Sequence, residues 1–407
     1  MKNKALLVFS FLILIMSLSG CQATTTNPIT TATTAMSSTE NDTTTEATTA
    51  TATTTISSAS VLVTIQLESN GGSSVIPITQ LSGTIVAAPP DPEKPDFAFA
   101  GWYLDASLTE YFVFTTMPSQ NLTLYADWGT AGIEYEINMT EDGYRVVSGD
   151  YDSLSAIIIP NRYLGLPVLE LGDRAFAGQS GIVSVTLPAG MTKIGFQAFY
   201  QCSGLITITL PDHLLVISDS AFAYCTGLTA ITIPDLVTEL GQAAFGHCTQ
   251  LIAITLPEGM TMIWDDAFAF CESLTAIVLP EGLTDLGASV FQHCTSLVSI
   301  TIPSGVTQIY ENTFSYCTGL TNITLSENLA YIEFSAFTYC TALTHIVISI
   351  HVTTIHFNAF YGCSALTVFT EFSSKPAGWA ETWNSSNCTV YWAGTWEYIE
   401  GTPTPMT

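Results

Sequence analysis

Cys202, Cys225, Cys248, Cys271, Cys294, Cys317, Cys340 and Cys363 recur every 23 residues, and thiols at a fixed interval could serve a disulfide framework, a metal site or packing. A cysteine zinc site needs close pairs such as C-x-x-C with ligands converging on one point, and this spacing offers neither, so no structural metal and no cofactor is expected. Disulfides need side chains turned toward each other, whereas identical rotamers pointing inward from stacked units run parallel. A free thiol packs as a small hydrophobe. The eight are therefore read as a buried ladder, which Cys388, two residues out of step, extends toward the C-terminus. His247-Cys248 and His293-Cys294 have the composition of a base and a nucleophile. Adjacent residues face different ways, however, and Tyr224, Phe270 and Tyr316 stand at the equivalent positions, which marks a column of flat rings rather than a dyad.

A second set of residues with chemistry is acidic. Asp212, Asp235, Glu258 and Glu281 each follow a proline in the same register, with Ser304 interrupting the row and Glu327 resuming it. Lys193 is the one basic residue between Val183 and Phe369, so nothing local neutralises the row. Such an edge keeps a protein soluble. It could also collect a basic partner surface or calcium, although a calcium site needs six to eight oxygens around the ion. Nucleophile elbow, phosphate loop and H-E-x-x-H motifs are missing from the sequence, and repeated columns do not supply the singular residues that catalysis needs, so the chain reads as a non-enzyme.

The element that positions these columns is a repeat. An Ala-Phe dipeptide or a variant of it ends at Phe176, Phe199, Phe222, Phe245, Phe268, Phe291, Phe314, Phe337 and Phe360, without a slip in the 23-residue spacing. In one unit, Ile208 and Leu210 alternate with Thr207 and Thr209 in a short strand. Ile194, Ala198, Phe199, Cys202 and Leu205 have the spacing of a short helical turn facing the same interior. Ser218 or Asp219, Asp265 and Asn312 stand where that turn begins, as caps for its free N–H groups. Stacking the units gives a parallel sheet of ten strands, about 45 Å long at ~4.8 Å per strand. The insertion NRYLG, residues 161–165, makes the first unit irregular, as terminal coils of solenoids are. The L-x-x-I-x-L segment preceded by A-F-x-x-C resembles the BspA-type leucine-rich repeats. The expected class is thus an α/β repeat solenoid over 154–370. The resemblance implies a surface protein, adhesin-like, that binds a host or neighbouring-cell protein or glycan. A spacer without a specific ligand, or an accessory lipoprotein of an uptake or hydrolase system, are the other readings.

Residues 61–128 follow a different pattern. Val61, Val63, Ile65 and Leu67 alternate, Asn70-Gly71-Gly72 marks a turn, and FAFAGWYLD and LTLYADW follow. These pieces in this order resemble an internalin-B-type repeat, which implies a small β-grasp-like module. Trp102, Tyr103, Tyr125 and Trp128 could form a sugar platform, but aromatics in so small a module are needed for its core. A hairpin around Glu141-Asp142-Gly143 within 129–153 should cap one end of the solenoid. Trp379, Trp383, Tyr391, Trp392 and Trp396, within 371–407, should plug the other.

Lys2 and Lys4, the apolar run Ala5 to Met16 and the box Leu18-Ser19-Gly20-Cys21 resemble a bacterial lipoprotein signal over 1–20, which implies cleavage before Cys21, lipidation of its thiol and a membrane anchor there. The Thr-rich stretch within 21–60 lacks the apolar content to fold and reads as a linker, up to ~130 Å long if fully extended. The formal charge of −27 disfavours nucleic acid as a partner and favours basic or neutral ones.

Overall fold

The computed structural model describes residues 61–149 and 154–406. The signal segment, Cys21 and the Thr-rich stretch lie outside the described residues.

The first element is a four-stranded mixed sheet. Strands β1 (Leu62–Glu68) and β4 (Leu122–Thr130) run parallel at its centre, with β2 (Ile78–Leu81) antiparallel on β1 and β3 (Phe97–Tyr103) antiparallel on β4. Alternation in β1 buries Val63, Ile65 and Leu67 against Trp102, Leu124 and Trp128. Trp102, Tyr103 and Trp128 are buried and Tyr125 is half-buried, so these aromatics form core rather than an exposed platform. Next comes the hairpin of β5 (Ile133–Ile137) and β6 (Tyr144–Gly149), in which Ile137 pairs with Tyr144 and Tyr135 with Val146. β6 then pairs in parallel with Leu166–Leu171, so the hairpin becomes the outer part of a solenoid sheet.

The coils stack through three rows of parallel hydrogen bonds. One row is the expected strand column, represented by Ser184–Thr186, Thr207–Ile208, Ala230–Thr232 and Ala253–Thr255, in 23-residue register. A second row holds Lys193–Ile194, Val216–Ile217, Glu239–Leu240 and Met262–Ile263. Ile194 therefore lies on a strand, not on the stripe of a helical turn.

The third row corrects the α part of the expected class: there is no helix among the described residues. The segment read as helical folds into successive tight turns, because two of its residues per coil take positive φ, Gln197 at 54° and Gln201 at 59°, Ser220 at 54° and Tyr224 at 62°. A right-handed helix tolerates neither, and one isolated helical turn is marginal in any case. Here the N–H groups divide their bonding in alternation. Those of Ala198 and Tyr200 bond three residues back within the coil, to Gly195 and Gln197. Those of Phe199 and Gln201 bond to the carbonyls of Ala221 and Ala223 in the next coil, at 2.7 and 2.9 Å. Two of the expected caps act between coils: the carboxylates of Asp219 and Asp265 accept from the N–H groups of Gln242 and Ala288, one coil on, and Asp173 accepts in the same way from Phe196.

Inside, the phenylalanine rings from Phe176 to Phe360 stack along the axis, with neighbouring centroids 5.1 Å apart at the closest pair and 5.9 Å at the widest. Phe360 meets the edge of Trp383 at 6.0 Å, and Trp379 donates its indole N–H to Val352 at 3.0 Å, so both buried tryptophans close the C-terminal end. Trp396 bonds the carbonyl of Thr370, and Tyr391 stacks on Phe369. Phe245 is fully buried between two rings of its own kind, and Phe245→Ala is predicted to cost about 3 to 5 kcal/mol in chemical denaturation, since neighbours held in register on both sides cannot collapse into the cavity.

Candidate binding surface

The cysteines follow the tight turns inward. All eight repeat thiols are buried and free, and each points back at the preceding coil: Cys202 Sγ lies 2.9 Å from the Phe176 carbonyl, Cys248 Sγ 3.2 Å from that of Phe222, and Cys363 Sγ 2.9 Å from that of Phe337. The thiol is thus a second donor to a carbonyl that also accepts the N–H three residues on, as Phe176 does from Gln179 and Phe222 from Cys225, a role that packing alone does not include. Cys388 is half-buried, with its Sγ 3.5 Å from the Cys363 carbonyl. Burial pushes the thiols of Cys202, Cys248 and Cys317 up to about 12, and those of Cys225, Cys271, Cys294 and Cys340 well above the ordinary thiol value. Such sulfurs are neither nucleophiles nor ready metal ligands.

The neighbouring histidines take part in a separate column. Tyr224, His247, Phe270, His293 and Tyr316 stack face to face, the first pair at 4.3 Å and the next three at 4.4 Å. Each is the second of the two positive-φ residues of its coil, a conformation at which glycine is common. Partial burial among the rings lowers the pKa of His247 and His293.

Asp212, Asp235, Glu258 and Glu281 all lie exposed along one edge of the first strand row. Of the four, Asp212 lines a shallow depression of about 450 Å³, together with Thr207, Thr209, Ala230, Thr232 and Ala253. Among the described residues no group of three His, Cys, Asp or Glu is placed to hold a metal ion. What the row borders is a face of small and hydroxyl side chains: Thr209, Thr232, Thr255, Thr301 and Thr324 are all exposed.

At the other end of the solenoid the NRYLG insertion is more than an irregularity. Asn161 donates its backbone N–H to the buried carboxylate of Asp127 on β4 at 3.1 Å, and its side chain bonds the Leu108 carbonyl at 3.2 Å. The Thr130 hydroxyl accepts from the N–H of Ile158 at 2.8 Å, and Arg162 lies over the Tyr111 ring at 4.8 Å. Gly129 permits the approach, since a Cβ there would come within 2.6 Å of the Pro160 ring. Burial raises the Asp127 carboxyl, opposed by the N–H groups of Asn161 and Trp128, and burial together with the Asp127 charge raises the Tyr103 phenol beside it. A cleft of about 570 Å³, lined by Asp91, Tyr111, Tyr135, Arg162 and Tyr163 among others, opens at this junction. The signals lay in plain sight as an aspartate inside an apolar strand and an asparagine opening the insertion, yet nothing in either position announced a partner.

Parallel coils of 23 residues with an inward Leu, Ile and Phe set define a leucine-rich repeat solenoid. The chain belongs to the family of the BspA type leucine rich repeat region, which matches residues 150–264 and 238–367 in six copies. Residues 64–127 match the Listeria-Bacteroides repeat domain. Among curated proteins the chain is similar to a putative Gly-rich membrane protein of Evansella cellulosilytica, 40% identical over 86 residues, which cover 21% of this chain and 10% of the relative. A putative membrane protein of the same organism is 38% identical over 78 residues, covering 18% of this chain and 12% of its own length. The chain thus spans about a tenth of these relatives. Among solved structures it is similar to a leucine-rich repeat protein of T. pallidum, at 29% identity and a TM-score of 0.39, covering 52% of this chain and 87% of that one. A leucine rich cell surface protein of Faecalibacterium prausnitzii is similar at 22% identity and a TM-score of 0.37, covering 66% and 95%.

Two predictions follow from the ladder and the row. A thiol with a raised folded pKa stabilises fully below its unfolded value near 9 and loses that contribution as pH climbs toward about 12, at ~1.4 kcal/mol per pH unit and thiol. Denaturation midpoints should therefore fall steeply above pH 9, and less steeply in Cys248→Ala/Cys271→Ala; parallel curves would remove the thiols from the alkaline transition. The exposed carboxylates should respond to ionic strength alone, so millimolar calcium and sodium chloride of equal ionic strength should shift the melt equally, in wild type and in Asp235→Asn/Glu258→Gln. A calcium shift lost in the double variant would instead make the row an ion site.

Proposed function

We propose that this protein is a non-catalytic lipoprotein of the cell surface, anchored through Cys21, whose solenoid binds a protein or glycan partner in the manner of an adhesin. The observation that carries the reading is the continuous, pre-formed surface. Strand rows in fixed register present exposed small, hydroxyl and acidic side chains over many coils, and the N-terminal module is locked to the first coil through Asp127 and Asn161. A surface already ordered before contact loses little conformational entropy on binding. The repeat thiols are closed off in the interior with raised pKa values, which supports a role by contact rather than by reaction.

The test has two parts. Cys21→Ser should move the protein from the membrane pellet to the medium or leave the precursor uncleaved, and an unchanged pellet of normal mature mass would contradict the anchor. The chain from residue 21 onward, immobilised and presented with matrix proteins and a glycan array, should retain at least one partner; retention of none would favour a spacer role.

A further inference from the structure

In four surface columns of the solenoid, large apolar side chains come together at one place. Leu215 stands in a column that begins with Leu169 and is otherwise made of Thr192, Thr238, Thr261, Thr284, Thr307 and Thr353 with Ala330, whose hydroxyls at Thr192, Thr261, Thr284 and Thr353 bond the carbonyl of the coil before. Phe196 stands between Asp173 and Asp219, in a column where Asp173, Asp219 and Asp265 fasten one coil to the next and where phenylalanine returns at Phe334 and Phe357. Val216 stands between Lys193 and Glu239. Trp264 stands in a column that reads Gly195, Ser218, Gly241 before it and Gly287, Tyr310, Glu333 and His356 after it, and a Cβ on any of the three glycines would come within 2.5 to 2.7 Å of an atom in the coil before. A tryptophan thus occupies a position that is glycine in the coils on either side of it. Packing does not account for it, because Trp264 is 47% exposed, Leu215 50%, Val216 43% and Phe196 38%.

These residues enclose a slot of about 500 Å³ on the second strand row. Phe196 and Trp264 wall its two ends, three coils apart or about 15 Å at the coil spacing, and Ser218 and Gly241 line it between them. Glu239 accepts the Trp264 indole N–H at 3.3 Å, which holds the ring in place, and Asp219 lines the slot with one carboxylate oxygen engaged by the Gln242 N–H. The charge here is unlike the rest of the solenoid. Arg174, whose guanidinium lies 5.9 Å from the centre of the Phe196 ring, and Lys193, paired in register with Val216, adjoin the slot and offset its two carboxylates.

We propose that this slot is a binding subsite for a neutral glycan, one sugar face lying on Trp264 and hydroxyl groups reaching Glu239, Asp219, Ser218 and Thr238. Aromatic walls with a few convergent polar groups are the usual make-up of a small-molecule subsite, and an indole offers a flat apolar face beside a polar edge. Local charge balance within an acidic chain selects an uncharged ligand: a polyanion is repelled by the whole molecule, and a polycation gains nothing at this place that the carboxylate edge does not offer better. The inference rests on the binding function proposed above and assigns it a location and a ligand class.

The test uses the chain from residue 21 onward and four neutral probes, cellohexaose, xylohexaose, maltohexaose and chitohexaose, by calorimetry at 50 and 500 mM sodium chloride. The variant Phe196→Asp/Leu215→Thr/Trp264→Gly installs only residues that neighbouring coils already carry, so its melt should match wild type; Leu215→Thr alone serves as a second, milder variant. At least one probe should bind equally well at both salt concentrations, at least tenfold more weakly to the triple variant and measurably more weakly to Leu215→Thr. Binding of no neutral probe, binding that survives the triple variant, or a slot-dependent affinity for oligolysine or heparin instead would each overturn the inference. Retention of a protein partner by wild type and triple variant alike would overturn it while leaving the binding function standing, whereas retention of no partner of any kind would remove both.

Discussion

The structure depends on one constraint: every backbone N–H at the turn positions of a coil must find a carbonyl either three residues back or one coil on. The N–H groups of Phe176, Phe199, Phe222, Phe245, Phe268, Phe291, Phe314 and Phe337 all reach into the next coil, at 2.7 to 3.0 Å. Those of the positive-φ residues two positions later do the same, from Gly178 to Tyr339. Buried polar groups must be paired, so the coil length cannot vary without breaking the ladder for every coil beyond the change. The unvarying 23-residue interval is the sequence expression of that requirement. The phenylalanine stack and the thiols, which answer the phenylalanine carbonyls from the opposite direction, occupy the space that the ladder encloses.

How legible this was depended on whether a feature recurs. The inward columns of Phe, Cys and Leu could be read because each copy repeats the evidence, and the aromatic C-terminal segment could be read as a plug because an open solenoid end has to be covered. The turns are not legible in the same way. Ala198, Phe199 and Cys202 have spacings that a helix shares with two linked turns, and the positive φ that separates the two possibilities falls on Gln201, Tyr224, His247 and Phe270, residues that do not advertise it as glycine would. Ile194 was assigned to the same stripe for the same reason, although its neighbour along the stack is Ile217 on a parallel strand.

The candidate sites were harder still, because they lie where the repeat is broken or joined. The NRYLG insertion looked like wear at a terminal coil and instead carries the contacts that fasten the module, through Asn161 and Arg162. Asp127 sits in a strand whose pattern predicts an apolar core, and its buried carboxylate is met by the N–H groups of Trp128 and of Asn161 from the first coil. The acidic row shows in the sequence as a row, whereas the surface around Trp264 shows only when Phe196, Leu215, Val216 and Trp264, from four separate columns, are placed on neighbouring coils. A periodic sequence describes its scaffold many times over and its special places once.

The central claim is that the turn segments form a hydrogen-bonded ladder as regular as a sheet, and hydrogen exchange resolved to single amides tests it most directly. The account predicts that the amides of Phe199, Phe222, Phe245, Phe268 and Phe291 exchange as slowly as those of Ile217, Leu240 and Ile263 on the neighbouring strand row, and that they open together. Rapid, independent exchange at the phenylalanine amides, as in ordinary surface turns, would contradict it.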